Sequence, residues 1–248
     1  YKVIYYDQLS MVKGNIFLEG QALSIVKEDR LILRDPYNDG TDRSVLLRLL
    51  LAIYSEQVLL DSEYMTSYPD YEDKLVQAFL FAKYDFCSPN TTYLTIPKVF
   101  PVIVKKRLSS RARGINIIHN SQDFEEFFLG KDISDYIIQE FISVESDYRI
   151  YTMRGEVMAT AIRRPKFSSM GDVQKIKVLD IVNTLDVRIR DDLKRLYDVT
   201  RADFLGVDVI TDKEGSYYFV EMNVSPQFSA YKRVSGENLA EIIFEKVL

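Results

Sequence analysis

Residues 204–223 read FLGVDVITDKEGSYYFVEMN, two apolar runs separated by a short polar turn. This pattern predicts a β-hairpin. Because side chains alternate faces along a strand, Glu221 and Asn223 should share one face of the second strand. The turn length places Asp208 opposite Phe219, and therefore diagonal to Glu221. Two carboxylates and an amide oxygen would converge there and would suit a hard cation such as Mg²⁺, whereas a solvated acidic hairpin end is the alternative interpretation.

Two upstream segments have features typical of nucleotide binding. Lys105 ends an apolar strand and opens the loop 106–114, whose small residues and cations suit a phosphate-covering flap, although an exposed basic turn is equally consistent. The strand end at 139–142 could hold a flat base beside its backbone groups, or it could be an ordinary sheet edge. Between the N-terminal part and Lys105, the spacing of apolar residues predicts a helix over 71–84. The buried face of this helix is predicted to consist of Leu75, Ala78, Phe79 and Ala82.

Composition excludes several classes of protein. The net charge of −5 argues against broad nucleic-acid binding, which depends on a positive surface. With one cysteine and one histidine, the chain has almost no material for a zinc site or a Cys/His catalytic pair. Cys87 itself is expected to be a small buried apolar residue. No segment reaches the roughly 18 uninterrupted apolar residues of a membrane span, so no membrane partner and a cytoplasmic location are expected.

Helical and strand-like patterns alternate along the chain, which predicts an α/β or α+β fold. The first part, residues 1–70, is expected to form a small α/β unit with strands at 2–6, 23–26 and 31–33 and a helix at 44–54. A unit of two strands and a helix follows at 71–135. A larger sheet with flanking helices is expected at 136–248.

In this order, the segments resemble the ATP-grasp superfamily, and within it the RimK-like branch that includes a ribosomal-protein glutamate ligase and glutathione-synthetase-like enzymes. The resemblance is carried by residues 204–208, 219–226 and 235–240, which match the family's Gly-Val-Asp, Glu-x-Asn-x-Ser-Pro and Gly-x-x-x-Ala motifs. It implies an N-terminal pre-ATP-grasp domain at 1–70. The small grasp subdomain with its flap would then span 71–135, and the C-terminal subdomain with the metal site 136–248.

The resemblance also implies roles for individual residues. Lys105 and Arg163 would act at the transferred phosphate. The phosphates of the nucleotide would be bound by Lys74, Lys105 and the flap residues Ser109, Ser110 and Gly114. Adenine would be bound by Glu140, Phe141 and Ile142, and Asp147 would lie near the ribose. The metal ligands would be Asp208, Glu221 and Asn223, holding Mg²⁺ with Mn²⁺ as an alternative ion.

The activity that the resemblance implies is an ATP- and Mg²⁺-dependent carboxylate–amine ligase. It would form an amide through an acyl phosphate on an amino acid, peptide or protein. Two departures from the family pattern leave alternatives open. The flap keeps only the last of its glycines, Gly114, and residues 167–172 lack the family's Phe-Arg-x-Asn. A kinase with this fold, or a nucleotide-binding module without turnover, therefore stands beside the ligase, and a homo-oligomer is left open.

Overall fold

The computed structural model describes residues 2–34, 44–68, 70–109, 114–167 and 173–247. The chain divides into two compact units, Tyr1–Ser62 and Glu63–Leu248. All of the candidate site residues belong to the second unit.

The first unit contains a small antiparallel sheet. Its strands are β1 (Leu9–Val12), β2 (Asn15–Leu18) and β3 (Gln21–Ala22), in that order, and the helix α1 (Ser44–Tyr54) follows as predicted. The three strands predicted in this part are wrong. A short 3₁₀ turn, Tyr6–Gln8, and irregular backbone take their places, and Leu31 makes only an isolated bridge to Val58. Short apolar runs do not by themselves distinguish a strand from irregular backbone, because a strand also needs a neighbour for its hydrogen bonds.

The second unit begins with a four-stranded antiparallel sheet. The elements in chain order are α2 (Ser62–Ser67), α3 (Lys74–Lys83), β4 (Thr91–Thr92), β5 (Val102–Lys106), β6 (Ile115–Ile118), α4 (Ser121–Phe128) and β7 (Tyr136–Glu140). The sheet order is β4-β7-β5-β6. One face of this sheet packs under α4, where Val104 and Ile138 meet Phe124. Side chains alternate along the strands, so Lys105 and Gln139 belong to the opposite face.

A five-stranded antiparallel sheet follows. Its elements and the helices around it are β8 (Val144–Met153), β9 (Glu156–Phe167), β10 (Val173–Ile181), α5 (Val187–Thr200), β11 (Phe204–Asp212), β12 (Tyr217–Asn223), α6 (Ser229–Ser235) and α7 (Leu239–Val247). The strand order is β10-β9-β8-β11-β12, so the predicted hairpin forms one end of the sheet and β12 is an edge strand. Helix α3 packs against this edge.

Helix α3 buries a different face from the one predicted. Phe79 is 61% exposed and Ala82 is exposed, whereas Leu80 and Phe81 are buried together with two polar residues, Lys74 and Gln77. The predicted apolar stripe is wrong because apolar spacing reports the inward face only when that face is apolar. Here half of the inward face is polar and lies against β12.

Cys87 is exposed, contrary to the prediction. Phe86 fills the core instead, and the carbonyl oxygen of Cys87 accepts a hydrogen bond from the Phe219 N–H on the edge of β12 at 2.8 Å. Within the described part of the chain, no helix combines the length and the apolar character that crossing a membrane requires.

Candidate active site

The hairpin brings Asp208 and Glu221 directly opposite each other. A bulge at Val220 separates this pair from the next one, Val209 with Phe219. The predicted pairing of Asp208 with Phe219 is therefore wrong by two residues, of which one is the extra residue of the bulge, and the sequence does not reveal the bulge. The bulge places Phe219 on the core face of the sheet, 5.8 Å from the ring of Phe81. It leaves Glu221 on the same face as Asp208.

Asn223 completes this group of oxygen-bearing side chains. It pairs with Gly206, two residues before Asp208, so it shares the face of the two acids. Position 206 has room only for a glycine, because a Cβ there would lie 2.4 Å from Cβ of Pro226 and 2.9 Å from Nη1 of Arg149. The glycine of the Gly-Val-Asp motif thus allows the segment after β12 to fold back over the strand that carries Asp208.

Two lysines reach this face from other elements. The Nζ atom of Lys74, in the first turn of α3, donates to the carbonyl oxygen of Ser109 at 2.7 Å and lies 3.6 Å from Oε1 of Glu221. Lys105 is 7% exposed, at the end of β5. Burial lowers the pKa of its ammonium to about 8, while the carboxylate of Glu221 opposes the shift. Both lysines predicted at the phosphates therefore lie near the acids of the hairpin.

Two arginines neutralise Asp208. Nε of Arg149, on β8, lies 2.6 Å from Oδ1 of Asp208, and Nη2 of Arg163, on β9, lies 3.1 Å from the same oxygen. Arg163 also pairs with Asp147. Burial lowers the pKa of Arg163, but the negative charges of Asp208 and Asp147 raise it by more, so this guanidinium stays charged. Burial raises the pKa of Asp147, and Arg163 opposes that shift.

The remaining predicted residues lie in the following places. Asp147 is buried against Arg163, within the cluster around Asp208. Glu140 ends β7 and its carboxylate accepts hydrogen bonds from Asn90, and Phe141 and Ile142 follow in the connection to β8. The flap residues Ser109 and Gly114 lie at the two ends of the loop, and the carbonyl oxygen of Gly114 accepts from the Lys106 N–H. Ser110 lies outside the described residues.

Two glutamines lie near the site, and of these Gln139 begins the strand end at 139–142 that the sequence singled out, whereas Gln77 was not identified. Gln139, on β7, is 4% exposed, and its Oε1 has no hydrogen-bond partner among the described residues. It belongs to the same sheet face as Lys105. Gln77, on α3, bonds to the backbone of Met222 between Glu221 and Asn223. Gln77 belongs to no charged motif, so composition and spacing gave no signal for it.

The model of the RimK-like ATP-grasp domain matches residues 86–247. The chain belongs to the RimK-like ATP-grasp family. The fold class and the family expected from the sequence are therefore confirmed, and with them the class of enzyme, an ATP-dependent carboxylate–amine ligase.

Curated relatives of this ATP-grasp protein include two ligases from archaea. Alpha-aminoadipate–LysW ligase LysX of Saccharolobus solfataricus is 22% identical over 192 residues, 71% of this chain and 69% of the relative. LysX of Sulfolobus acidocaldarius is 23% identical over 244 residues, 92% of this chain and 86% of the relative.

Solved structures with the same fold include two peptide-modifying enzymes. The ATP-grasp ligase PsnB, in complex with a phosphomimetic variant of its minimal precursor, Mg and ADP, superposes with a TM-score of 0.67 at 17% identity, over 96% of this chain and 84% of PsnB. The macrocyclase MdnC of Microcystis aeruginosa, bound to the precursor peptide MdnA, gives a TM-score of 0.66 at 16% identity, over 96% and 86%.

The charges of the site fit a nucleotide better than a bare metal ion. Four cations, Lys74, Lys105, Arg149 and Arg163, surround three acids, Asp147, Asp208 and Glu221, an excess of one positive charge (4 − 3). Among the described residues, no three His, Cys, Asp or Glu side chains cluster as metal ligands. A divalent ion at this hairpin would therefore need oxygen ligands from a bound phosphate in addition to the two carboxylates and the amide.

Proposed function

We propose that this ATP-grasp ligase uses ATP and Mg²⁺ to convert the carboxylate of an amino acid, peptide or protein into an acyl phosphate with release of ADP. An amine then attacks the acyl carbon and phosphate leaves, which gives an amide. The observation that carries the proposal is the pairing of Asp208 with Glu221 across the hairpin, with Lys74 and Lys105 beside them. Two acids that share a face with an amide suit a hard cation, and the surplus of cations suits a phosphate chain.

The residues divide the work between positioning and charge stabilisation. Lys74 and Lys105 hold the phosphates and offset the negative charge that develops on the leaving ADP. Arg163 stabilises the transferred phosphate, a role supported by a guanidinium that Asp147 and Asp208 keep charged and fixed in direction. Mg²⁺, for which Mn²⁺ could substitute, would supply a Lewis acid between phosphate oxygens when held by Asp208, Glu221 and Asn223.

The other end of the nucleotide would meet β7. Gln139 presents a buried oxygen without a partner, and burying such a group is costly unless a ligand completes its hydrogen bonds. Glu140, Phe141 and Ile142 present backbone groups for adenine, Asp147 lies toward the ribose, and Ser109, Ser110 and Gly114 belong to the flap over the phosphates. The unpaired Oε1 of Gln139 is an acceptor, because its Nε2 already donates to Thr91, and it supports a base with an N–H donor at this position.

The substrate class is inferred from the relatives of this chain and from solved structures with the same fold. LysX is named as a ligase of alpha-aminoadipate and LysW, PsnB was solved with a variant of its minimal precursor, and MdnC was solved with a precursor peptide. An amino acid or peptide carboxylate and an amine are accordingly the first substrates to test. A small precursor peptide is the preferred candidate.

Substitution of Glu221 tests the proposal. Glu221→Gln keeps the size of the side chain and removes one charged ligand, so ADP release should fall about 100-fold or more while the protein stays folded. The matched control is Glu214→Gln, an exposed acid in the turn of the same hairpin, which should retain full turnover. ADP release is measured across a panel of amino acids and peptides, with circular dichroism to monitor folding.

The products separate the remaining alternatives. A product whose mass equals carboxylate plus amine minus water identifies the ligase. A phosphorylated product without an amide would identify a kinase, and binding of ATP with Mg²⁺ without ADP release under any substrate would identify a module that lacks turnover. Unchanged turnover in Glu221→Gln would overturn the metal assignment.

A further inference from the structure

The side chain of Gln77 forms an unusual contact with the edge of the sheet. It is 1% exposed. Its Nε2 donates to the carbonyl oxygens of Met222 and Tyr71, both at 2.8 Å, and its Oε1 accepts from the Met222 N–H at 3.0 Å. The amide thus pairs with both backbone groups of one residue, as a neighbouring strand would. Met222 lies between Glu221 and Asn223, so this contact is made at the centre of the candidate metal-holding segment.

The bulge at Val220 makes that contact important. A slip of one residue along β12 would turn Glu221 and Asn223 to the other face of the sheet, away from Asp208. Among the strands of the described residues, the edge strand β12 has only β11 as a hydrogen-bonded neighbour in the sheet. On its outer side, the carbonyl oxygen of Cys87 holds the Phe219 N–H before the bulge, and Gln77 holds Met222 after it. The two contacts bracket the extra residue.

We propose that Gln77 is a positioning residue, whose buried amide fixes β12 beyond the bulge and thereby keeps Glu221 and Asn223 on the face of Asp208. The same helix presents Lys74 one turn earlier, 3.6 Å from Glu221. Gln77 therefore also sets the position of the Lys74 ammonium relative to the acid. Its effect on metal binding rests on the proposed function, whereas its effect on the strand register does not.

Gln77→Met tests the proposal because it keeps the length of the side chain and removes all three hydrogen bonds. Thr200→Val is a matched control. Thr200 is a buried polar residue of α5 that donates to the carbonyl oxygen of Leu196 and accepts from the Ala202 N–H, away from β12. Both variants remove a buried polar group by a near-isosteric change, so they should lose comparable stability.

Two measurements are made on each variant. Amide hydrogen exchange at 221–223 should become at least about tenfold faster in Gln77→Met and stay unchanged in Thr200→Val. Calorimetric titration of Mg²⁺ into protein saturated with a non-hydrolysable ATP analogue should show an affinity about 10- to 100-fold weaker in Gln77→Met, as for other residues that orient metal ligands. Gln77→Glu keeps one acceptor and loses both donors, and it should shift both measurements in the same direction.

The outcomes separate this inference from the proposed function. Exchange and Mg²⁺ affinity that are unchanged in both Gln77 variants, or that change equally in Thr200→Val, would overturn the positioning role. If the wild-type protein gives no Mg²⁺ response with the analogue, the proposed function fails. Hydrogen exchange at 221–223 then decides by itself whether Gln77 holds the register of β12.

Discussion

At the scale of single residues, the buried ammonium of Lys105 makes the site sensitive to pH. Its pKa is lowered from 10.5 to about 8, first by burial. Contact with phosphate requires the charged form, so ATP affinity should fall about tenfold for each pH unit above 8. Lys105→Met should bind ATP more weakly at pH 7 and lose this pH dependence. Calorimetric titration of ATP between pH 7 and 10 measures both proteins.

The titration of Lys105 affects folding stability with the opposite sign to its effect on ATP affinity. Between pH 8 and 10.5 the unfolded chain binds more protons at this lysine than the folded chain does. The contribution of Lys105 to folding stability therefore rises with pH over that window, while its contribution to phosphate binding falls. A wild-type affinity that stays constant to pH 10 would contradict the role of the Lys105 ammonium at the phosphates.

The residues that could be predicted from the sequence are those whose chemistry is unusual for their setting. Asp208 and Glu221 stood out as acids in an apolar hairpin, and Lys105 as a cation at the end of an apolar strand. Gln77 gave no such signal, since a polar residue in a helix is ordinary until its partners are known. Its position depends on contacts between elements far apart in the chain, which spacing does not encode.

At the scale of elements, the start of α3 and the start of the flap are joined by one buried acid. The carboxylate of Asp73 accepts from the Leu75 N–H at 2.8 Å and caps the helix. It also accepts from Nε of Arg107 at 3.0 Å, and Arg107 donates in turn to the hydroxyl of Tyr93 and the carbonyl oxygen of Ser134. Lys74 follows Asp73 directly, so this junction positions one of the phosphate-facing lysines.

Substitutions at Asp73 separate capping from ion pairing. Asn caps a helix about as well as Asp does, so Asp73→Asn should lose only the pairing with Arg107, about 1.5–3 kcal/mol. Asp73→Ala should lose about 1 kcal/mol more. In both variants the KM for ATP should rise. Arg154→Met, which removes a more exposed pair with Asp203, serves as the control and should cost less than about 1 kcal/mol.

Urea unfolding measures these stabilities. Equal losses in Asp73→Asn and Arg154→Met would show that the Asp73–Arg107 pair has no special value. A lost cap without any change in the KM for ATP would show that the junction does not position Lys74.

The same elements show where prediction from sequence stopped. The hairpin at 204–223 and the helix at 44–54 follow directly from apolar period and turn residues. The bulge at Val220 cannot be predicted in this way, because the apolar pattern of the strand is compatible with a register that has the extra residue and with one that lacks it. The inward face of α3 was missed for the opposite reason, since Lys74 and Gln77 bury polar groups that periodicity assigns to solvent.

At the scale of the whole molecule, every residue proposed to bind the nucleotide belongs to the unit Glu63–Leu248. A ligand that binds only the folded state slows opening of the structure that contacts it, and at 100 times its Kd the stabilisation approaches about 2.7 kcal/mol. ATP analogue with Mg²⁺ should therefore slow amide exchange in β5, β7, β11 and β12 by up to about 100-fold. Exchange in β1, β2 and β3 should stay unchanged, which makes the first unit an internal control.

Hydrogen exchange followed by mass spectrometry, with and without the analogue, measures both units in one sample. Glu221→Gln should reduce the protection that Mg²⁺ adds in β11 and β12 while leaving protection in β7, which faces the base rather than the metal. Protection that appears in the first unit as strongly as in β12 would contradict a nucleotide site built within Glu63–Leu248 alone. The base end and the metal end of the proposed site lie on different sheets of the unit. If the protection of β7 depended on Glu221 as strongly as the protection of β12, this separation would be contradicted.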